Sequence, residues 1–344
     1  MIFDPILDIF RGKAITIPPL DGAFRANTGL DDSAVFAELP AADNLCAAGG
    51  RLFASSGAGL YALRDGGAPE QVETFASTIT ALAAAQDGAL AVALDDGTLL
   101  EGGKPVTLPK GIACITALAY GDDGSLWLAN GSEKQPASAW VADLMEKNAS
   151  GSVWRRKPGN AFAKVAGGIE WPYGILPLGD EAIVSESWRH RLVRVGSGGA
   201  KPVLKHLPGY PARLSPAADG GAWLAIFAPR NRLIELVLQE KHYRYDMMAS
   251  VPREFWIAPS LSSGRSFLEP LQCGGIRTMG VHKAWAPSRS HGLVVRLDRD
   301  LAPVESLHSR ANGSRHGTTS VMEADGRLLV AAKGGDCILA PEAM

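Results

Sequence analysis

The stretch GDEAIVSESWRHRLVRV, residues Gly179–Val195, decides the fold because it contains two short apolar strands joined by a polar turn. Gly and Asp precede the first strand, and these residue types supply the backbone conformations of tight turns. Related stretches recur along the chain, which indicates a repeat architecture. They are Gly49–Leu63, Asp87–Gly102, Asp123–Gly131 with Gly151–Arg156, Asp219–Phe227 with His291–Leu297, and Asp325–Leu339.

A further short apolar segment precedes most copies: Ile79–Ala85, Ile115–Tyr120, Gly174–Leu178 and Thr319–Glu323. Units of three to four strands that recur roughly every 40 residues predict the blades of an all-β propeller. Six copies predict six blades. Because a blade cannot bury both of its faces alone, the ring must close. We expect Ala14–Ile17 (AITI) to be the N-terminal strand that completes the last blade.

Two insertions interrupt the repeat, at about 132–148 and 229–290, and both contain helix-like sequence. Insertions of this kind often cover the ligand-binding face of a propeller. We therefore predict one six-bladed β-propeller over residues 13–344, with helical insertions after the third blade and within the fifth that cap one face. Residues 1–12 are predicted to be an apolar helix or arm. This arm either caps the protein's own core or docks a partner, such as a second copy of the chain.

The composition argues against several classes of function. The 344 residues are 46% hydrophobic, and 34 Lys and Arg oppose 36 Asp and Glu, for a net charge of −2. No basic stretch indicates nucleic acid binding, and no apolar run reaches the roughly 18 residues that a membrane span needs. The four cysteines are scattered and form no C-x-x-C motif, which argues against zinc and redox motifs and favours the cytoplasm.

Two consecutive stretches carry a family resemblance. VSESWRHRLVRV (184–195) and LPGYPARLSPAADGGAWLAIFAPRN (207–231) resemble the strictosidine synthase-like branch of the calcium-dependent phosphotriesterase superfamily, which also contains gluconolactonases and paraoxonases. The segments at 140–155 and 318–339 are similar to other family motifs, so the resemblance covers about Asp43 to Leu339. It implies a six-bladed propeller and an enzyme that acts on small molecules in an axial pocket.

The resemblance also points to the positions of a calcium site. Metal-binding members hold calcium on the propeller axis with a Glu, Asn residues and an Asp. The matching positions here are Asn44 with Asp43 beside it, Tyr173, and Ala212 with Arg213, while Asn130 is retained. An arginine on the axis repels a dication. We therefore expect no cofactor, and we keep Asp43, Asn44 and Asn130 as weak candidates for calcium ligands.

The candidate catalytic residues are Glu186, His282, His316 and Thr319. Thr319 falls where the resemblance places the catalytic Glu of strictosidine synthase. A hydroxyl cannot replace a carboxylate in proton transfer near neutral pH, so we do not expect that activity itself. Glu186 is either an axial base or a buried partner of an arginine. A histidine beside a hydroxyl could act as a base, but each of the two histidines could equally be structural.

The candidate ligand-binding residues are Asn44, Asn130, Tyr173, Arg213 and Trp171. The Arg213 guanidinium suits an anionic ligand, although pairing with Asp43 or Glu186 would also explain it. We therefore expect a lactonase- or esterase-like hydrolase that acts on an anionic or polar metabolite without calcium. Two alternatives stay open: a metal-free condensing enzyme of the strictosidine synthase kind, and a non-catalytic ligand-binding propeller.

Overall fold

The computed structural model describes residues 17–263, 277–278, 281–282 and 290–342, with the backbone alone at 277–278 and 281–282. Its helices are α1 (Trp140–Glu146), α2 (Arg232–Gln239) and α3 (Lys241–Ser250), and none of the described helices is long and apolar enough to cross a membrane. In chain order the strands are β1 (Ala34–Glu38), β2 (Ala42–Ala48), β3 (Arg51–Ser56), β4 (Gly59–Leu63), β5 (Glu70–Thr74), β6 (Ile79–Ala84), β7 (Leu90–Leu94), β8 (Leu99–Glu101), β9 (Lys104–Pro105), β10 (Ile115–Tyr120), β11 (Leu126–Asn130), β12 (Gly151–Arg156), β13 (Ala163–Ile169), β14 (Pro172–Leu178), β15 (Glu181–Glu186), β16 (Arg191–Gly196), β17 (Gly199–Leu204), β18 (Gly209–Pro216), β19 (Ala222–Pro229), β20 (Arg277–Thr278), β21 (Val281–His282), β22 (Gly292–Leu297), β23 (Pro303–Ser309), β24 (Thr318–Ala324), β25 (Arg327–Ala332) and β26 (Cys337–Ala340).

Six four-stranded antiparallel sheets confirm the predicted propeller. Blades 1 to 4 contain β2 to β5, β6 to β9, β10 to β13 and β14 to β17. Blade 5 contains β18, β19, β22 and β23, and blade 6 contains β24, β25, β26 and β1. The first strands of the blades, β2, β6, β10, β14, β18 and β24, contact one another in a closed ring. They are therefore the innermost strands, and they surround the central axis.

The closing strand is not the one that the sequence suggested. The N-terminal strand β1 pairs with β26 and completes blade 6, with Ala37 opposite Ile338. Ile17 lies outside any strand and the rest of Ala14–Ile17 lies outside the described residues, so this prediction was wrong. Four of the five residues of β1 are half or fully exposed, which leaves the strand with little apolar pattern to recognise. The predicted arm at 1–12 also lies outside the described residues.

Turn chemistry sets the register of the hairpins, as the Asp- and Gly-rich repeats suggested. In the turn before β11, the Asp123 carboxylate accepts a hydrogen bond from the backbone N–H of Ser125, at 3.0 Å. Gly124 between them has a φ of +74°, which a residue with a side chain rarely adopts. Asp87 and Asp96 accept the N–H two residues ahead in the same way. In these three turns the recurring Asp therefore fixes the hairpin by accepting a specific backbone hydrogen bond.

Both insertions lie between the second and third strands of their blades. The first, which contains α1, connects β11 to β12 inside blade 3, so its predicted position after the third blade was wrong. The second, which contains α2 and α3, connects β19 to β22 inside blade 5. Loops between second and third strands emerge on the face where the innermost strands begin. The insertions and the starts of the innermost strands therefore share one face.

Replacing Ala37 with Asp tests the closing strand. Ala37 is buried among apolar side chains of blades 1 and 6, so a carboxylate there would lose its hydration. We expect Ala37→Asp to lower the free energy of unfolding by about 2–4 kcal/mol, measured by urea denaturation. The matched control is Val35→Asp, because Val35 lies on the same strand but is 39% exposed. Equal effects of the two substitutions would contradict the closure by β1.

Candidate functional site

Each innermost strand contains one extra residue near its start, relative to the strand beside it. Such a β-bulge turns a side chain away from the regular alternation, and it occurs often next to functional sites. At each bulge, one or two residues of the innermost strand have no regular partner on the neighbouring strand. These residues are Asp43 with Asn44, Thr80, Thr116, Tyr173, Ala212 with Arg213, and Thr319. All six blades therefore contribute to one ring of bulged residues around the axis, which we call the axial ring.

An ion-pair cluster occupies the centre of this ring. The Arg213 Nη1 atom donates to Asp43 Oδ1 at 2.6 Å, and the Lys333 Nζ atom donates to Asp43 Oδ2 at 2.6 Å. Arg213 also donates to two backbone carbonyls of the axial ring, that of Thr80 at 2.7 Å and that of Thr319 at 3.3 Å. One buried carboxylate is thus shared by two cations from blade 5 and blade 6.

The cluster fixes the charge state of all three groups. Burial raises the pKa of Asp43, but the charges of Arg213 and Lys333 outweigh it, so the pKa lies well below its usual range. Burial lowers the pKa of Lys333, and the Asp43 carboxylate more than offsets this, so the pKa is raised. The same balance raises the pKa of Arg213. At neutral pH the cluster therefore holds one anion and two cations.

A cavity of about 240 Å³ opens above the cluster. This volume is slightly below the usual range for ligand pockets and suits a compact molecule. The lining combines residues of the axial ring with aromatic side chains. The lining residues are Asp43, Thr78, Ile79, Thr80, Asp95, Thr116, Ala137, Ser138, Trp140, Trp171, Tyr173, Arg213, Phe227, Leu261 and Lys333.

An aromatic wall forms one side of the cavity. The Trp171 ring stacks on Trp188 with centroids 5.1 Å apart, and Trp140 meets Phe227 edge to face at 5.4 Å. Tyr173 also meets Phe227 edge to face, at 5.5 Å, and the Arg213 guanidinium lies 5.0 Å from the Tyr173 ring centroid. Trp171 has a φ of +56°, which is rare for a bulky residue and has to be held by its surroundings.

Both insertions close over the cavity. Ala137, Ser138 and Trp140 come from the first insertion, and Leu261 comes from the second. The Ser138 backbone N–H donates to the Asp95 carboxylate at 2.9 Å, which ties the first insertion to blade 2. The Leu261 carbonyl lies against Gly334, where a Cβ would come within 1.8 Å of its oxygen. Glycine at 334 therefore allows the second insertion to approach blade 6.

The predicted ligand-binding residues divide into two groups. Arg213, Tyr173 and Trp171 line the cavity, as does Asp43. Asn44 is turned away from it and donates to the Ser55 hydroxyl at 2.9 Å. Asn130 lies at the end of a second strand, and its side-chain oxygen accepts the backbone N–H groups of Ala113 and Cys114. The Asn130 oxygen is thus used to hold a loop.

Of the predicted catalytic residues, Glu186, His316 and Thr319 do not line the cavity. Glu186 is buried and accepts from Arg191 and from the backbone N–H of Glu170, which corresponds to the structural alternative. His316 contacts the Ser290 hydroxyl at 2.8 Å and the Arg310 carbonyl at 2.7 Å. Thr319 belongs to the axial ring and presents its carbonyl to Arg213. The His282 side chain lies outside the described residues.

Two charged lining residues were missed by the sequence reasoning. The motifs did not single out Lys333, which lines the cavity and is hydrogen-bonded to Asp43. It directly follows the second strand of blade 6, as Ser187 follows the second strand of blade 4. Asp95 follows the second strand of blade 2 and lines the cavity. Comparing the residues after each second strand would have drawn attention to both.

No protein-family model matches the chain, and no curated protein matches its sequence. Solved structures do resemble it. A gluconolactonase from Xanthomonas campestris is 13% identical, with a TM-score of 0.52 over 91% of this chain and 88% of the other. Regucalcin, a calcium-binding protein from Agrobacterium tumefaciens, is 15% identical, with a TM-score of 0.54 over 90% of this chain and 93% of the other. At these identities the likeness shows the fold alone, so the strictosidine synthase-like branch stays a prediction.

The axial ring does not fit the calcium ion that this fold family implies. Calcium takes six to eight oxygen ligands, and both carboxylate oxygens of Asp43 already bind cationic side chains. The carbonyls of Thr80 and Thr319 also accept from Arg213. Within the described parts of the chain, no cluster of three or more His, Cys, Asp or Glu is arranged to hold a metal. The guanidinium thus takes the oxygens that a cation would need.

The lowered pKa of Asp43 predicts a pH dependence of stability. A carboxyl whose pKa is lower in the folded state stabilises fully above its unfolded pKa of about 4 and loses this contribution as pH falls toward the folded value. We expect Asp43→Asn to be less stable than wild type at pH 7. The difference in unfolding free energy, measured by urea denaturation, should shrink from pH 5 to pH 2.5. A difference that is the same at every pH would contradict the charge state assigned to Asp43.

Proposed function

We propose that the chain is a small-molecule hydrolase of the lactonase or esterase kind, acting in the axial cavity on an anionic or polar metabolite. One observation carries the proposal: two cations on the cavity floor share the single carboxylate of Asp43, so this cluster of three groups carries one net positive charge. An excess positive charge in a partly closed site attracts an acyl oxygen or a carboxylate. The shared fold with a gluconolactonase agrees with this chemistry.

Lys333 is the cation that meets the ligand. The Nη atoms of Arg213 donate hydrogen bonds to Asp43 and to two backbone carbonyls. The Lys333 ammonium group has three N–H donors, and one of them donates to Asp43. Because its pKa is raised, Lys333 stays charged at neutral pH. In the reaction, its ammonium group stabilises the negative charge that develops on the acyl oxygen when water attacks. This role replaces the Lewis acid of a metal-dependent hydrolase.

Asp95 is the proposed general base. Asp43 is a poor base because its pKa lies well below the usual range, and burial together with the Asp43 charge raises the pKa of Tyr173, which keeps it a neutral donor. Asp95 lines the cavity and forms no ion pair with any described residue. It takes a proton from water, the hydroxide adds to the acyl carbon, and the ring C–O bond breaks. The alkoxide takes up the proton, which gives a hydroxy acid.

We further propose that the reaction proceeds without calcium and in the cytoplasm. The first proposal is supported by the Arg213 guanidinium, which donates hydrogen bonds to the Asp43 carboxylate and to the carbonyls of Thr80 and Thr319. The second is supported by Cys46, Cys114 and Cys337, which are free and buried, as suits a reducing compartment.

A non-catalytic ligand-binding propeller is the second candidate. It is favoured by the positions of Glu186 and His316, which are predicted proton-transfer residues and do not line the cavity. A condensing enzyme would also need a base in the cavity, and Asp95 would have to supply it. The three functions therefore differ in whether the chain hydrolyses a lactone alone, combines two reactants, or only binds.

Lys333→Met tests the proposed function. Removing the cation that faces the acyl oxygen should lower kcat/KM for lactone hydrolysis by about 100-fold to 1000-fold, measured by pH-stat titration. Lys333→Arg should keep part of the activity, and Lys164→Met, at an exposed lysine outside the cavity, should keep all of it. A chelator should change none of these rates.

Asp95→Asn should reduce kcat with a smaller effect on KM. The control Asp122→Asn, at an exposed carboxylate, should change neither kcat nor KM. Thermal melting of each variant separates loss of chemistry from loss of the fold. If wild-type protein hydrolyses no lactone or ester but binds carboxylates, the binding propeller replaces the hydrolase. Full activity of well-folded Lys333→Met would refute the assigned role of the ammonium group.

A further inference from the structure

A second cavity lies between blades 6 and 1, on the face of the propeller opposite the insertions. The turn before β25, the start of β3 and the residues after β4 all border it. We call it the seam cavity, and its volume is about 320 Å³, which is within the usual range for ligand pockets. Its floor consists of buried and half-buried apolar side chains from both blades. The floor residues are Phe36, Leu52, Leu63 and Leu329.

Two other seams between blades hold a tryptophan where this seam holds a leucine. Trp127, Trp223 and Leu329 each lie four residues after the Asp of the hairpin turn that precedes the strand. Trp127 packs against blade 4 and Trp223 packs against blade 6, just as Leu329 packs against blade 1. Because the leucine side chain has no ring, the seam between blades 6 and 1 is less filled at this position, and the seam cavity borders Leu329.

In both of those other seams, an arginine covers the tryptophan. The Arg155 guanidinium carbon lies 4.9 Å from the centroid of the Trp127 ring. The Arg296 guanidinium carbon lies 5.6 Å from the centroid of the Trp223 ring. Each arginine also donates to the Asp of the hairpin turn in its own blade. An aromatic ring, a guanidinium and a carboxylate therefore form one stacked unit in each of these two seams.

The seam cavity has the charged groups of this unit without the tryptophan. Its charged lining residues are Arg51, Arg64, Asp65, Asp325 and Arg327. Arg327 donates to Asp65 at 2.8 Å, and Arg64 donates to Glu70. Arg51 forms no ion pair with any residue that the structure describes. Counting Glu70, three arginines face three carboxylates, so the rim is neutral overall and Arg51 is the cation that an anion can bind.

We propose that the seam cavity binds a small aromatic carboxylate. The aryl ring lies on the apolar floor against Phe36 and Leu329, and the carboxylate accepts hydrogen bonds from Arg51 at the rim. Burial of the ring supplies most of the affinity, and the guanidinium presents parallel N–H donors that match a carboxylate. The ligand thus completes the unit of ring, guanidinium and carboxylate that the other two seams build from the chain's own residues.

Indole-3-acetate tests the proposal, because it joins the ring system of tryptophan to a carboxylate. We expect a Kd of about 1 mM or below at low salt, measured by ligand-observed NMR. Indole-3-acetamide has the ring without the charge, and acetate has the charge without the ring. Each should bind at least about tenfold more weakly. Because the bound acid bridges the two blades that close the propeller, it should also raise the melting temperature.

Leu329→Trp and Arg51→Leu are the two test variants. Leu329→Trp places a ring of the chain's own in the seam and should abolish the binding of indole-3-acetate. Arg51→Leu, at an exposed residue, should weaken indole-3-acetate by about tenfold and leave indole-3-acetamide unchanged, a difference that a damaged fold would not produce. This variant carries the test if Leu329→Trp does not fold. The matched control is Arg194→Leu, at an exposed arginine of blade 4, which should change neither affinity.

Lys333→Met separates the seam cavity from the axial cavity, where the proposed function also places an anion. Binding that persists in Lys333→Met and disappears in Leu329→Trp is the expected result. Binding that is lost in Lys333→Met would assign the acid to the axial cavity and overturn the proposal. Undiminished binding to well-folded Leu329→Trp, or to Arg51→Leu, would also overturn it. So would the absence of binding to the wild-type protein at concentrations well above the expected Kd.

Discussion

A single buried carboxylate, shared by two cations on the propeller axis, is the interaction on which the rest of the site depends. Asp43 comes from blade 1, Arg213 from blade 5 and Lys333 from blade 6, so the cluster links the first blade to the last two. Removing one partner of a buried pair leaves an uncompensated charge, which is far more costly than the net gain from forming the pair. The three charged groups therefore depend on one another, because losing any one of them leaves a buried charge without its full compensation.

The β-bulges explain how such a cluster can form in a regular fold. An unbroken strand would point alternate side chains into the neighbouring blades, where apolar residues pack. One extra residue near the start of each innermost strand releases a side chain, and in places a carbonyl, toward the axis. Arg213 uses the carbonyls of Thr80 and Thr319 that are freed in this way. Carbonyls exposed in this way are suited to bind a cation, and in this chain they accept hydrogen bonds from a guanidinium.

Much of the fold could be predicted from the sequence, because a propeller repeats its signal in every blade. The Asp- and Gly-rich turns and the apolar runs after them are local features, and they located Ile79–Ala84 and Ile115–Tyr120 correctly. The closing strand β1 could not be found in the same way. Its half-exposed residues carry little pattern, and only pairing with β26 at the far end of the chain defines it.

The site was only partly predictable, for a related reason. Arg213 and Tyr173 could be placed because they lie within motifs of the innermost strands. Lys333 looks like a surface lysine in a Gly-rich turn, and Asp95 looks like one more turn aspartate. Their places in the cavity follow from how the ring closes and how the insertions fold over it, which no short stretch encodes. Glu186 and His316 lie in suggestive sequence motifs, but in the fold Glu186 accepts from Arg191 and the Glu170 N–H, and His316 contacts Ser290 and the Arg310 carbonyl.

A crystal structure of the wild-type protein grown in calcium would test the central claim most directly. The account predicts electron density for the Arg213 guanidinium and the Lys333 ammonium on the two oxygens of Asp43, with no anomalous peak on the axis. A calcium ion coordinated by Asp43, with Arg213 turned away from it, would contradict the account.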